Sequence, residues 1–213
     1  MGGAVRSLAL GGEPPDYDFA TNARPEQVQK VFRRVIPTGI EHGTVTVLYQ
    51  NEAFEVTTYR TEGNYSDARH PDDVAFVGSI SEDLKRRDFT MNALAVDPED
   101  GTFLDPHEGL ADLSAGVIRA IGSPSERFRE DALRVMRAIR FAAQLGFEVE
   151  RGTLEAMSDC AHLLSSISIE RIREELSKLL VSNSPSHGLK LALACGALPH
   201  FLPELSATVG FEQ

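Results

Sequence analysis

Asp16 and Asp18 stand one residue apart in "PPDYDFAT", Pro14 to Thr21, a stretch that otherwise reads as a short apolar strand. Residues i and i+2 of a strand share a face, which puts both carboxylates on one side and leaves Tyr17 and Phe19 to pack on the other. Two like charges held side by side repel unless a cation sits between them, so the pair is a candidate Mg²⁺ site. An edge strand with a polar face, or a turn after Pro14-Pro15, explains the same residues and is the better reading of this stretch alone. The segment upstream favours the metal site. "GGAVRSLALGGE" sets Gly2, Gly3 and Arg6 ahead of a short helix. Glycines let the backbone approach a phosphate closely, and N–H groups at a helix start attract anions. Gly-Gly, Arg, helix and Asp-x-Asp in one segment read as a phosphate cradle beside a metal site. Carboxylates sharing two cations suit an in-line displacement in which a hydroxyl attacks and pyrophosphate leaves.

The elements that must position these residues follow from the pattern. Up to about residue 122 strand and helix signals alternate. "PEQVQKVF" puts Pro25 at a first helical position with Val28, Val31 and Phe32 on one face. "TVTVLY" and "FEVTTY", joined by "QNEA", read as a hairpin, and "LAVD" and "TFLD" flank the turn "PEDG" as a second. "GVIRAIG" adds a short strand. After Gly122 the pattern turns helical. "SPSERFREDALRVMRAIRFAAQLGF" carries Phe128, Ala132, Val135, Ile139 and Ala142 at helical spacing and predicts one long amphipathic helix ending at Gly146. "TLEAMSDCAHLL", "SIERIREELSKLLV", with Ser168 as N-cap, and "SHGLKLALACG" continue as helices.

Composition narrows the classes. The chain has 213 residues, 42% hydrophobic and 25% charged, which is ordinary for a globular protein and sufficient for one large or two small domains. No apolar run approaches a membrane span and no signal-peptide layout opens the chain, so the sequence predicts a cytoplasmic protein. Cys160 and Cys195 lie far apart without Cys-x-x-Cys spacing and read as buried small hydrophobes. The six histidines form no sequence-local metal site. A net charge of −11 argues against a basic surface gripping nucleic acid everywhere. Basic residues do gather locally, at Arg86 and Arg87, at Arg127, Arg129, Arg134, Arg137 and Arg140, and at Arg171 and Arg173. A solvated helix face is the plain alternative for each, and the stronger reading for the last pair.

Five ordered motifs resemble a known family, the class II tRNA nucleotidyltransferases: bacterial CCA-adding enzymes and their A-adding, CC-adding and poly(A) polymerase relatives. The resemblance covers nearly all of the chain. "GGAVRSLALGGEPPDYDFAT" resembles the first motif, which implies that Asp16 and Asp18 hold the catalytic metals, with Mg²⁺ as cofactor, and that Gly2, Gly3 and Arg6 contact the triphosphate. "RRDFTMNALA" resembles the second, associated with the nucleotide sugar, and carries over Arg87, Asp88 and Asn92. "DPHEGLADL" is similar to a connecting motif usually written with two glycines; Glu108 replaces the first, so a local difference in the turn is expected. "EDALRVMR" resembles the base-recognition motif and carries over Glu130, Asp131, Arg134 and Arg137. "SIERIREEL" is similar to a helix-start motif that braces it.

Asp131 and Arg134 lie three residues apart and, on one helix, share a face. Taken alone they make an ordinary i,i+3 salt bridge, the preferred reading without the other motifs. With them, the pair suits base selection. An Asp accepts from the exocyclic amino group of C or A and an Arg donates to the neighbouring ring nitrogen, whereas U and G present a carbonyl in place of the amino group. Each such contact discriminates by roughly 1 to 3 kcal/mol. The resemblance implies that Glu130 orients the pair.

"YRTEGNYSDARHPDDVAFV", Tyr59 to Val77, has turn residues and no periodicity and reads as a surface loop. The resemblance implies a loop that helps switch from C to A addition, and its presence favours CCA or A addition. "GIEHG" is closer to the CCA-adding pattern than to the more basic poly(A) polymerase one. Glu55, on "FEVTTY", is a possible third metal carboxylate or, equally well, an edge-strand residue facing solvent. Ser7 stands where the family has Asp after the Arg, removing a carboxylate that would fix Arg6. The family pattern has a helix and strand before the glycines and helical domains after "LPHFLPEL", so truncation at both ends is expected.

The expected fold is α+β: a nucleotidyltransferase (polymerase-beta-like) head with a mixed sheet over residues 1–122, an all-helical neck over 123–182, and the start of a helical body over 183–213. The expected reaction adds C and A to the tRNA 3′ end from CTP and ATP. The rivals are A-only or poly(A) addition, and an inactive fragment that binds nucleotide or RNA.

Overall fold

The structure, a computed structural model, describes residues 1–14, 16–62 and 74–211. These divide into two compact units, one up to Leu113 and one from Ser114 onward. No helix among the described residues is long and apolar enough to cross a membrane.

The first unit runs α1 (Gly3–Ala9), β1 (Asp18–Thr21), α2 (Pro25–Val31), β2 (Val35–Gly39), β3 (Thr44–Tyr49), β4 (Glu52–Thr58), β5 (Arg60–Glu62), β6 (Val74–Phe76), α3 (Ile80–Lys85), β7 (Ala95–Val96), β8 (Phe103–Leu104) and α4 (Gly109–Ala115), whose last residues cross the division. Its main sheet has the order β1-β4-β3-β2, with β1 parallel to β4 and the other pairs antiparallel. The hairpin expected at "QNEA" forms, turning on Gln50 (φ 49°) and Asn51 (φ 68°), both in the left-handed conformation that a two-residue turn needs to match strand twist. The second hairpin is β7 and β8.

Alternation gives this sheet two unlike faces. Phe19, Val56, Phe54 and Val47 point one way and, with Val28 and Val31 of α2 and Phe32 just after it, line an open apolar groove of about 540 Å³. Val28, Val45 and Val47 form the buried cluster beneath, and burying each such side chain is worth about 1.5 to 3 kcal/mol. Asp18, Glu55 and Thr46 leave from the opposite face.

The second unit comprises β9 (Val117–Ile118), α5 (Pro124–Glu130), α6 (Leu133–Leu145), β10 (Glu148–Val149), α7 (Arg151–Cys160), α8 (Ile169–Leu180), α9 (Pro185–Ala194) and the short α10 (Leu198–Phe201) and α11 (Pro203–Ser206). Helices dominate after Gly122, with the one exception, among the described residues, that β10 pairs in parallel with β9. The predicted long helix is two helices: Asp131 takes an extended conformation (φ −145°, ψ 102°) and separates α5 from α6. The apolar stripe survives the break, since Phe128, Ala132, Val135, Ile139 and Ala142 are all buried. α9 meets α6 and α8 at Gly188, where a Cβ would lie 2.9 Å from Leu179 and 3.0 Å from Ala143. Ser168 occupies the N-cap position of α8 without a side-chain capping bond. Cys160 and Cys195 are free and buried, and burial pushes both thiols above their ordinary value.

Candidate active site

β1 begins at Asp18, so Asp16 lies in a bend before the strand, and the predicted strand pairing of the two carboxylates is replaced by a bend-and-strand arrangement. The residue in register beside Asp18 is Glu55. Partners in adjacent strands leave the sheet on one side, so Asp18 and Glu55 share the face away from the apolar groove. Sequence reasoning could not separate the two roles of Glu55 because the β1–β4 pairing is parallel and non-local. Among the described residues no three of His, Cys, Asp or Glu converge tightly enough to hold a metal by themselves. Mg²⁺ does not ask for that: it retains waters and takes one or two carboxylates together with substrate phosphates. Asp18 and Glu55, in register on one sheet face, offer the hard oxygen donors that a divalent cation of this kind takes.

The glycine turn sits beside these strands. Met1 donates its ammonium to the Asp18 carbonyl at 2.7 Å, and burial lowers that ammonium's pKa. Gly2 donates to the Leu94 carbonyl at 2.8 Å. Its φ of +63° is a glycine conformation, and a Cβ there would stand 2.6 Å from Nη1 of Arg87. Arg87 donates from Nη1 to the Asn92 carbonyl at 3.3 Å. Asn92 in turn donates to Asp88 at 2.9 Å and accepts from Arg6. Six predicted residues, Gly2, Gly3, Arg6, Arg87, Asp88 and Asn92, therefore gather at one place. Arg6 is held by Asn92, which offsets the carboxylate that Ser7 removes.

The connecting motif "DPHEGLADL" keeps the glycine-type turn despite the substitution. Glu108 itself adopts φ 58°. Asp105 accepts from the N–H groups of Gly109 (2.7 Å) and Leu110 (2.9 Å), capping α4. A Cβ on Gly109 would stand 2.2 Å from the Thr90 carbonyl oxygen, so the close approach to the "RRDFT" segment depends on glycine. Asp112 accepts from the Thr90 hydroxyl at 2.6 Å and completes that contact.

In the second unit Asp131 and Arg134 do not share a helix face as a bonded pair. Arg134, 7% exposed, donates to Glu130 at 2.6 Å and to the Arg127 carbonyl at 3.0 Å. Asp131 accepts from the Leu133 N–H at 3.1 Å, capping α6, and from Arg171 of α8 at 2.7 Å. Of the pair that Glu130 is expected to orient, it contacts Arg134. Arg137 reaches Glu175 of α8 at 4.0 Å and lies over the Phe141 ring. Arg173 is exposed, as a solvated face predicts, whereas Arg171 is engaged. The bulk of the loop expected over Tyr59–Val77, residues 63–73, lies outside the described residues.

A mixed four-stranded sheet with acidic residues on one face and a glycine turn at its side, followed by helices, defines a nucleotidyltransferase head. Residues 1–119 match the Poly A polymerase head domain, and residues 146–208 match a family described as a probable RNA and SrmB-binding site of polymerase A. The chain belongs to the Poly A polymerase head domain family. It is 53% identical over 196 residues to the CCA-adding enzyme of Levilactobacillus brevis, a match covering 92% of this chain and 49% of that protein. It is 50% identical over 208 residues to the CCA-adding enzyme of Streptococcus gordonii, covering 98% and 52%. Among solved structures, the CCA-adding enzyme of Bacillus stearothermophilus in complex with CTP superposes with a TM-score of 0.87 at 45% identity, over 94% of this chain and 48% of that one. The chain spans about half the length of the curated relatives it matches.

Proposed function

We propose that the protein is a template-independent nucleotidyltransferase that adds C and A to the tRNA 3′ end from CTP and ATP, completing CCA and releasing pyrophosphate. The observation that carries this reading is the register of Asp18 beside Glu55 on the sheet face next to the Gly2–Arg87–Asn92 cluster. Carboxylates and a phosphate cradle are what transfer to an α-phosphate needs. The names of the relatives and the CTP held by a structural neighbour support the substrates, and the Thermotoga maritima CCA-adding enzyme complexed with tRNA, matched with a TM-score of 0.78 at 26% identity, supports the tRNA partner.

In this reading the tRNA 3′-hydroxyl attacks the α-phosphate: its oxygen forms the new O–P bond, the bond from the α-phosphorus to the oxygen bridging to the β-phosphate breaks, pyrophosphate leaves with that electron pair, and the hydroxyl proton passes to solvent. Asp18, with Asp16 or Glu55 beside it and the substrate phosphates, would hold a divalent cation, Mg²⁺, which when bound would supply Lewis-acid charge at the reacting phosphate. Gly2, Gly3 and Arg6 bind the triphosphate through backbone N–H groups and guanidinium. Arg87, Asp88 and Asn92 orient the sugar. Asp131 and Arg134 select C and A, Glu130 fixes Arg134, and Arg137 supports the set from the next turn. The catalytic head runs to about residue 122, the neck covers 123–182, a body domain starts at 183, and the cytoplasm is the compartment in which the tRNA is matured.

A primer-extension assay tests it. tRNA transcripts ending before CCA, after the first C and after both C residues are given labelled CTP, ATP or both with Mg²⁺. Stepwise addition that stops after CCA is expected, and Asp18→Asn is expected to abolish it without loss of fold. Addition of A alone to the CC end, or a long A ladder, would replace the product assignment with A-adding or poly(A) activity. Nucleotide binding without addition would identify a binding fragment.

A further inference from the structure

Asp83 is a carboxylate inside α3 that none of the roles above uses, and its side chain is 1% exposed. Burying a carboxylate is costly unless it is paired and hydrogen-bonded, and Asp83 meets that demand unevenly. Oδ1 accepts from the backbone N–H of Arg60 at 3.2 Å and from Nε of Arg86 at 3.1 Å. Oδ2 faces Nη2 of Arg87 at 3.6 Å, an ion pair too long to be a hydrogen bond, and it has no hydrogen-bond partner among the described residues. Nε of Arg87 is likewise buried without one. The guanidinium is therefore charge-compensated while some of its donors remain uncommitted. Burial lowers the pKa of Arg87, and Asp83 is the largest influence opposing that shift.

This arrangement differs from a structural salt bridge, where bidentate contact consumes the donors on both sides. A partly shielded cation, 21% exposed, that keeps its counter-charge at 3.6 Å and lies against the Gly2 turn is prepared to give its N–H groups to the nucleotide. We propose that Asp83 is the positioning residue for Arg87: its Oδ2 supplies the counter-charge that keeps the guanidinium over Gly2, while its Oδ1 pins the Arg60 N–H at the start of β5. One buried carboxylate thus ties α3, β5 and the nucleotide-binding arginine together. The inference rests on the reading that Arg87 contacts the nucleotide. It predicts an effect shared by all nucleotides, because the triphosphate and sugar are common to them.

Equilibrium dialysis with labelled CTP and ATP in the presence of Mg²⁺ tests it on the 213-residue chain, using Asp83→Asn, Arg87→Ala and the double variant, each checked for fold by circular dichroism. Asp83→Asn retains an acceptor for Arg60 and removes the charge facing Arg87. It is expected to weaken CTP and ATP equally, by about tenfold, and the double variant is expected to bind no worse than Arg87→Ala. A merely structural role would lower the melting temperature and leave affinity at 25 °C unchanged. Parental affinity in Asp83→Asn, or additive losses in the double variant, would overturn the inference while leaving the assignment of Arg87 intact. Parental affinity in Arg87→Ala would overturn both. If Asp83→Asn does not fold, Asp83→Ser removes the charge without turning an amide N–H₂ toward the guanidinium and gives the same comparison. Loss of fold in both assigns Asp83 to stability alone and overturns the positioning role.

Discussion

Arg171, near the start of α8, donates to Oδ2 of Asp131 at 2.7 Å across forty residues of chain, so the carboxylate that ends α5 is held by a helix remote in sequence. Both side chains are largely shielded, 23% and 16% exposed. Arg171→Ala leaves Asp131 without its cation and is expected to cost roughly 1.5 to 3 kcal/mol of stability, read by urea denaturation. If Asp131 selects the base, the preference for CTP over UTP narrows in the same variant, measured by single-nucleotide extension. A stability loss with selectivity at the parental level would separate Asp131 from base choice.

The break at Asp131 shows what the sequence made legible and what it did not. The stripe from Phe128 to Ala142 was readable because burial follows helical spacing, and those residues are buried. The end of α5 was not, because the signal for it is an Asp whose carboxylate caps Leu133 and binds Arg171, a contact decided by tertiary structure. The Asp16–Asp18 pair stood out by its spacing. Glu55, the partner of Asp18, required the parallel β1–β4 register, and Asp83 carried no local signal beyond being one charge in a polar run. The glycine-rich segment and "RRDFTMNALA" could be assigned to one site by resemblance, whereas the Arg6–Asn92 contact that joins them is visible only in three dimensions.

Glu108 occupies a left-handed conformation, φ 58°, that costs an L-residue about 1 to 2 kcal/mol. Glu108→Gly removes that cost, reduced by the entropy of a more flexible unfolded chain, and is expected to raise the melting temperature by a few degrees, about 2 to 4 °C per kcal/mol for a chain of this size. Gly109→Ala should do the reverse and far more severely, because its Cβ would stand 2.2 Å from the Thr90 oxygen. Differential scanning calorimetry on the two variants tests both signs. A stabilised Gly109→Ala would show that the Thr90 contact is not tight.

Glu150 caps α7, its carboxylate accepting from the N–H groups of Gly152 at 2.9 Å and Thr153 at 2.8 Å. These bonds, the one from Gly152 foremost, hold its pKa below the ordinary glutamate value. A depressed carboxylate contributes stability that is fully present above the unfolded-state pKa and is lost as the pH falls through the lower folded value. Glu150→Gln is therefore expected to cost about 1 kcal/mol near neutrality and to converge on the parent as the solution is acidified. Denaturation midpoints between pH 7 and pH 3 check this; a gap between the two proteins that stays constant with pH would exclude the charged cap as its source.

Glu175 joins α8 to α6 in the interior of the second unit. It is 4% exposed, accepts from Nε of Arg140 at 2.5 Å, and has Arg137 and Lys178 each at 4.0 Å. Arg140 also donates to Gln144 at 2.7 Å and lies over the Phe141 ring. Removing one member of a buried pair leaves an uncompensated charge, so Glu175→Ala is expected to destabilise by roughly 3 to 5 kcal/mol. Replacing both residues with apolar ones, Arg140→Met with Glu175→Leu, removes both desolvation penalties and should recover most of that loss. Urea denaturation of the single and double variants reads the difference. A double variant no more stable than Glu175→Ala would mean that the other contacts of the Arg140 guanidinium, with Gln144 and over the Phe141 ring, and not its pairing with Glu175, carry its contribution.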